Sequence, residues 1–551
     1  MINKKAKQIL VLLVLAYVFF ILGNGILSLT NPDEVFYAQT AKEMIQQRSW
    51  LTPYLFGVPQ FEKPVLLYWF LRIAFILFGV SSFSARFFPA FFAATGVIAA
   101  YLLSRIGFKN EEKAFISSLI LMSSGLYIGL ARTVFTDMIF SVFILFSLLS
   151  FYWDYSRKNK AGPGILLFFI FSGLAVLTKG PLGILLPLLI VPAFLFIKKD
   201  IKVLSSKYTL LGILLFIALS LPWYIFIIRK YGSSLTREFF YNDHFRRLIE
   251  AEHRGNDRWY FYPFSMIGSM FPWSVYTLTA LIFIFKDLRK KANPFYLFLI
   301  SWVSVVFLVF QFAHSKLVSY IFPLFPALAI ITGDFIYEAA LSKNRNRLFF
   351  IVSLLISVIL WLLPIGLIIT SIKYSIYIPS KIPVYIVVSL LVFLSTLFSF
   401  FIARGKFLQI VPVLIFLVPA ILFAVFFMHK DIEPYVSSKT ACEFLSKNYP
   451  GDYAIICSKF FARGVRFYTD KGIAIINISG KNSFSPHPVP FLDTDAKVKD
   501  FLNRQPIAYC LLRKSQVRDM ERISGREFKL TLLKIIGDEY LLKVEANTKV
   551  N

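Results

Sequence analysis

At about 150 residues per domain a chain of 551 residues would fill three or four soluble domains, but 57% hydrophobic residues, 16% charged residues and a mean hydropathy of +0.67 exclude that organisation. This is the composition of an integral membrane protein. The net charge of +28, from 59 Lys and Arg against 31 Asp and Glu, would suit nucleic acid, yet no basic low-complexity arm or Arg-rich helix is present, so no nucleic-acid partner is expected.

A helix crosses ~30 Å of hydrocarbon in about 20 apolar residues. Runs near that length number thirteen, at 9–29, 87–103, 114–130, 138–153, 165–177, 182–197, 210–228, 264–285, 295–312, 317–335, 348–369, 384–401 and 408–428. The first has the basic start of a signal peptide, but its apolar run exceeds the usual 7–15 residues and no small-x-small site follows, which predicts an uncleaved anchor. Between the runs, one set of loops is basic: Lys4, Lys5 and Lys7; Arg105, Lys109 and Lys113; Arg157, Lys158 and Lys160; Lys198, Lys199, Lys202 and Lys207; Lys286 to Lys291; Lys343 to Arg347; Arg404 and Lys406. The positive-inside rule makes these loops cytoplasmic, places the N-terminus inside and, with an odd number of crossings, the C-terminus outside.

The opposite loops are mixed in sign. They carry Asp33, Glu34, Glu62, Lys63, Arg132, Asp137, Lys179, His244, Arg247 and Lys316, all close to apolar helix ends. Charge at such positions costs up to roughly 3 kcal/mol per residue toward the bilayer centre, so it usually faces a cavity. The first of these loops, 29–82, reads as two interfacial amphipathic helices, one starting at Asn31-Pro32 and one at Pro64, with Trp and Tyr suited to the headgroup level. After Met428 the composition becomes that of a soluble α/β unit. Strands are predicted at 453–457, 473–478, 507–512, 530–536 and 540–544, and helices at 495–503 and 515–523. The fold class is therefore an all-α polytopic membrane domain (1–428) followed by a small α/β domain on the outer face (429–551). Cys442, Cys457 and Cys510 all fall in the second part, where an odd count allows at most one internal disulfide and no zinc spacing occurs.

Each candidate residue has two accounts. At Asp33-Glu34, either Asn31 or Asp33 merely caps the next helix, or a carboxylate serves as a base or orienting group. Asp137 has the same ambiguity, with Arg132 as its expected ion-pair partner. Glu62 and Lys63 are an exposed ion pair or divide labour, Glu62 holding a metal ion and Lys63 a phosphate. The loop 229–262 adds His244, Arg247 and His253, either as phosphate or metal ligands or as lipid-headgroup contacts. A cation ~4 Å from a developing phosphate charge contributes about 4 kcal/mol at an effective dielectric near 20, close to a thousandfold in rate. Several cations around few acids thus favour an enzyme that expels a phosphate.

Seven motifs in order carry a resemblance: Asp33-Glu34 with Tyr37-Ala38, Phe61-Glu62-Lys63-Pro64, Thr136-Asp137, Leu177-Thr178-Lys179-Gly180-Pro181, Asp243-His244 with Arg247, Phe271-Pro272-Trp273, and Ser315-Lys316-Leu317 with Tyr320 and Pro323 to Pro326. Together they resemble the bacterial 4-amino-4-deoxy-L-arabinose transferases that modify lipid A, members with the protein O-mannosyltransferases of the GT-C class of polyprenyl-phosphate-sugar glycosyltransferases. The resemblance covers roughly 9–329 and, more loosely, the whole chain. It implies an inner-membrane enzyme with a periplasmic site, an undecaprenyl-phosphate-linked sugar as donor and lipid A or another envelope acceptor. It further implies Asp33 and Asp137 as catalytic residues, and Lys63, Arg247 and Tyr320 on the donor phosphate. A divalent metal ion (zinc, magnesium or manganese) would sit at Glu62 and His244, and no nucleotide cofactor is needed. Glu34, Arg132, Lys179, His253 and Lys316 are further candidates. One departure stands in the second motif, where Gln60 and Val65 replace the family's usual Tyr and Pro. Transfer to protein Ser/Thr is the alternative reaction. A lipid-sugar flippase is the non-enzyme alternative, although it would need ionisable residues near the bilayer midplane.

Overall fold

The computed structural model describes residues 3–158, 162–240, 257–288, 293–341, 346–375, 379–478, 489–505, 507–525 and 527–547. All thirteen expected apolar segments fall on helical stretches, but among the described residues eight helices are long and apolar enough to cross a membrane by themselves. The count becomes nine if the pair Glu111–Met122 and Gly125–Ala131, bent by 65°, is one span. The remaining segments are short or broken. The first ends in a π-helical turn at Tyr17–Ile21. The segment expected at 264–285 divides into Phe261–Ser269 and Ser274–Leu288 around Pro272, and the one at 317–335 starts as a 3-10 turn, Val318–Leu324, that contains Pro323. Proline lacks the N–H an α-helix needs, and a non-helical stretch at membrane depth is tolerated where protein covers it. The chain is a multi-span membrane protein.

Polar contacts sort the interhelical loops into two ends. At one end Lys4 pairs with Glu112, Arg105 with Glu111 at 3.5 Å, Lys113 with Asp334 at 2.7 Å, and Tyr155 donates to Asp200 at 2.8 Å. These contacts gather the basic loops. At the other end lie the loop after the first helix, residues 132–137, Lys179 and residues 314–320.

The loop 29–82 forms helices Asp33–Gln46 and Leu66–Phe78, as the Pro32 and Pro64 signals predict, joined through a hairpin of β1 (Tyr54–Leu55) and β2 (Val58–Pro59). The buried Glu43 side chain holds the hairpin turn, accepting from the N–H groups of Phe56 and Gly57 at 3.0 and 2.8 Å.

Beyond the last long apolar helix, Ile410–Phe427, six strands make one mixed sheet: β3 (Ile455–Ser458), β4 (Ile473–Ile476), β5 (Phe491–Leu492), β6 (Ile507–Leu512), β7 (Phe528–Ile536) and β8 (Glu539–Ala546) in the order β5-β4-β3-β6-β8-β7. The first four are parallel, and β8 and β7 add antiparallel. Helices cover both faces, so the central strands are apolar at nearly every position: Ile456, Ala474 and Cys510 face one core and Ile455, Cys457 and Leu511 the other. Cys457 and Cys510 therefore lie on opposite faces, and all three cysteines are buried free thiols. The helices Lys439–Asn448 and Ala462–Thr469 were not among those expected from the sequence.

Candidate active site

The site is built on a buried clamp. Arg86, from the apolar helix Ser82–Phe108, donates to the carbonyls of Asn24, Leu27 and Ser28, at 2.6 to 3.0 Å. It also makes a two-point contact with Glu34, Nε to Oε1 at 2.8 Å and Nη2 to Oε2 at 2.6 Å. Glu34 accepts further from the Thr30 N–H and hydroxyl and, across the site, from the Val134 N–H at 3.0 Å. Every oxygen of this fully buried carboxylate is occupied, so Glu34 fixes the start of helix Asp33–Gln46 and leaves Asp33, the first helical residue, at the surface.

One turn along, Tyr37 is buried, and its phenol marks where the acids meet. Burial raises its pKa well above the ordinary value, and Tyr68, Asp137, Asp33 and Glu62 each push it further up. Three carboxylates that are far apart in sequence thus act on one hydroxyl. Gln60, standing where the resembled family has Tyr, donates to Tyr68 Oη at 3.0 Å and Thr40 Oγ1 at 3.3 Å, and accepts from the Glu62 N–H at 2.9 Å. The replacement keeps a polar tether between both loop helices and the strand leading to Glu62. Lys63 follows, half-buried, just before helix Leu66–Phe78.

Asp137, at the N-terminus of helix Thr136–Lys158, is paired with Lys179 at 2.6 Å, and the Lys179 ammonium lies 5.0 Å from the Tyr320 ring centroid. Arg132 is not the partner that proximity in sequence suggested. Its guanidinium instead donates to the carbonyls of Phe19 and Leu22, both at 2.9 Å, closing the end of the π-helical turn. Lys316 is buried and donates to Asp257 at 3.0 Å, while His314 Nδ1 lies 2.8 Å from the other oxygen of the same acid. His314 and then Lys316 hold the Asp257 carboxyl below the usual carboxylate range. His244, Arg247 and His253 lie outside the described residues.

The C-terminal unit completes the site from above. Helix Ala462–Thr469 packs on helix Asp33–Gln46 and places the Arg463 guanidinium 4.4 Å from the Phe36 ring and 4.0 Å from Glu62 Oε1. Gly464 sits so close to Asn31 that a Cβ would meet Asn31 Oδ1 at 2.3 Å. Among the described residues no group of three or more His, Cys, Asp or Glu stands together as a metal site. Glu62 has Arg463 beside it, and the described side chains do not make a ligand set.

Arg86 had a visible signal, a lone cation inside an apolar span that demands a buried acid. Arg463 and Asp257 had none. The exposed position of Asp33 and the pair Asp137–Lys179 beside Tyr320 make a site able to orient an oxygen nucleophile, and half-buried Lys63 is the cation there suited to a departing anion.

Comparisons with known proteins find relatives in sequence and in fold. Residues 5–235 match the family model for dolichyl-phosphate-mannose-protein mannosyltransferase. A protein of Aquifex aeolicus is 28% identical over 500 residues, 88% of this chain and 93% of that one. The undecaprenyl phosphate-alpha-4-amino-4-deoxy-L-arabinose arabinosyl transferase of Yersinia pestis is 32% identical over 318 residues, 57% of this chain and 56% of that one. The match to that transferase thus spans little more than half its length. The crystal structure of ArnT from Cupriavidus metallidurans bound to undecaprenyl phosphate superposes with a TM-score of 0.79 at 16% identity, covering 98% of both chains.

Proposed function

We propose that this chain, related in sequence to the arabinose transferases and built on their GT-C fold, is a membrane glycosyltransferase. It moves a sugar, by resemblance 4-amino-4-deoxy-L-arabinose, from an undecaprenyl-phosphate carrier to a phosphate of lipid A or a related envelope glycolipid. The mixed-charge end faces the periplasm and the basic loops face the cytoplasm of a bacterial inner membrane.

The observation that carries this reading is the ion pair of Asp137 with Lys179 beside Tyr320, at the end of the molecule where helix Asp33–Gln46 presents Asp33. In the transfer an acceptor oxygen attacks the anomeric carbon, the bond from that carbon to the carrier's phosphate oxygen breaks, and polyprenyl phosphate leaves as an anion. Lys63 and Tyr320, with Arg247 by resemblance, hold that phosphate. Asp33 orients the acceptor or the positive charge developing on the sugar. A phosphate acceptor is already ionised and asks no proton transfer of Asp33, whereas a hydroxyl acceptor requires it as a base. Lys179, paired with Asp137, fixes that acid in place rather than adding net charge.

The test is donor turnover by purified protein with undecaprenyl-phosphate sugars. Asp33→Asn and Lys63→Ala are each expected to lower turnover by two to three orders of magnitude, the scale on which a single charge-stabilising group acts. Undiminished activity in both variants would sink the site assignment. The mannosyltransferase family match favours one second reading, transfer to protein Ser/Thr. Mass analysis of lipid A from cells lacking the protein separates the two, since unchanged lipid A rules out the first acceptor.

A further inference from the structure

The soluble unit has an anion-binding geometry of its own. Its parallel strands are wound in two directions from β3: the chain goes outward through β4 to β5, then returns to place β6 on the other side of β3. In open α/β sheets such a reversal leaves a crevice beyond the carboxyl ends of the two strands, which is where ligands bind. A cavity of about 350 Å³ lies at that position, lined by Ser458, Lys459 and Arg463 from the segment after β3, by Arg513 and Gln516 after β6, and by Pro32 of the membrane-domain loop. That volume is within the range of small-ligand sites.

The lining is cationic and organised. The Ser458 hydroxyl donates to Gln516 at 2.7 Å and accepts from the Arg513 N–H at 2.8 Å, fixing the two strand ends to each other. The Arg513 guanidinium stacks 4.1 Å from the Phe460 ring, which immobilises it while leaving its N–H groups available. Among the described residues neither Lys459 nor Arg513 pairs with a carboxylate, and Arg463 is only at 4.0 Å from Glu62. Burial and the like charge of Arg463 lower the Lys459 pKa below its ordinary value. Three cations thus line one space, an arrangement that an anion relieves.

The crevice opens at Pro32, the residue before Asp33. We propose that it binds a phosphate group of the lipid-borne acceptor and holds the acceptor beside Asp33. This rests on the transferase reading above. The donor phosphate is assigned there to Lys63 and Tyr320, whereas the crevice is lined by other cations, carried on the segments that follow the soluble strands β3 and β6. A second anion site next to Asp33 suits a reaction whose two substrates both carry lipid and phosphate.

The experiment uses the purified full-length protein. Short-chain phosphatidic acid is the probe, with inorganic phosphate and short-chain phosphatidylcholine beside it, and binding is read by titration. Wild type should bind phosphatidic acid in preference to phosphatidylcholine. Arg513→Gln and Lys459→Gln should each weaken that binding about tenfold, the loss of one charge-assisted hydrogen bond, while Arg513→Lys and Lys459→Arg should recover part of it. Inorganic phosphate bound as tightly as the lipid would mean a free-ion site and overturn the acceptor assignment. In the transfer assay the Gln variants should raise KM for the acceptor and leave kcat and the donor's KM unchanged. Equal probe binding by wild type and both Gln variants overturns the proposal, as does a shift confined to the donor's KM. If wild type transfers no sugar from any donor the transferase reading fails, and the binding arm still decides whether the crevice is an anion site.

Discussion

Glu34 and Asp33 are neighbours with opposite fates, and burial decides between them. Glu34 is sealed against Arg86 with side-chain exposures of 0% and 4%, and the pair is satisfied by backbone groups on every side. A buried ion pair gains little over an apolar substitute, but removing one partner leaves a charge uncompensated at a cost of about 3–5 kcal/mol. Glu34→Gln should therefore lower the apparent unfolding temperature of the purified protein markedly, by stranding Arg86. Asp33→Asn should leave that temperature unchanged while removing activity. A stable Glu34→Gln protein with a normal melting curve would refute the clamp. The contrast is testable only because the two acids, alike in sequence, differ in environment.

Between elements, the contact that orders the site runs from the first loop into the soluble sheet. The Asn31 N–H donates to the Val436 carbonyl at 2.8 Å, its side chain donates to Ser438 Oγ at 2.7 Å, and Ser438 donates to Glu539 at the start of β8 at 2.6 Å. Glu539 is buried, one of its oxygens has no partner among the described residues, and burial pushes its carboxyl up to about 8. A raised carboxyl is neutral in the folded state while the unfolded chain, near the ordinary value of 4.5, is already ionised. Its contribution to stability is thus whole below that ordinary value and is lost as pH rises toward 8. Unfolding temperatures from about pH 6 to about pH 9 should fall in wild type and stay flatter in Glu539→Gln; parallel curves would refute the assignment. None of this network was legible in the sequence, because Asn31, Ser438 and Glu539 meet only through tertiary packing. The apolar segments were legible as helix, since apolar length is a local property, but among the described residues only eight, or nine with the bent pair, are long enough to cross alone; Asp33, Glu62, Lys63, Asp137 and Lys179 stand out in the sequence as charges beside apolar helix ends. What sequence could not supply was pairing: proximity suggested Arg132 for Asp137, and the fold gives it Lys179 from 42 residues further on.

At the scale of the whole molecule the +28 net charge resolves into two ends. Lys4, Arg105 and Lys113 meet at one, each with an acid partner, while Arg86, Arg132, Lys179 and Lys316 are buried or half-buried at the other, engaged with carboxylates or backbone carbonyls. The orientation proposed above from the positive-inside rule puts the first end in the cytoplasm and the site, with the sheet above it, on the far side. The thiols make this directly measurable. Cys442, Cys457 and Cys510 are each at most 1% exposed, and burial raises all three pKa values, so in the native protein they are silent toward maleimides, which need an exposed thiolate. A single cysteine introduced at exposed Lys406 or at Asp470 is then the one reactive thiol. In intact spheroplasts a membrane-impermeant maleimide should label Asp470→Cys and leave Lys406→Cys untouched until the membrane is opened. Labelling in the reverse order would invert the topology, moving the Asp33 site to the cytoplasm and removing it from any acceptor in the outer leaflet.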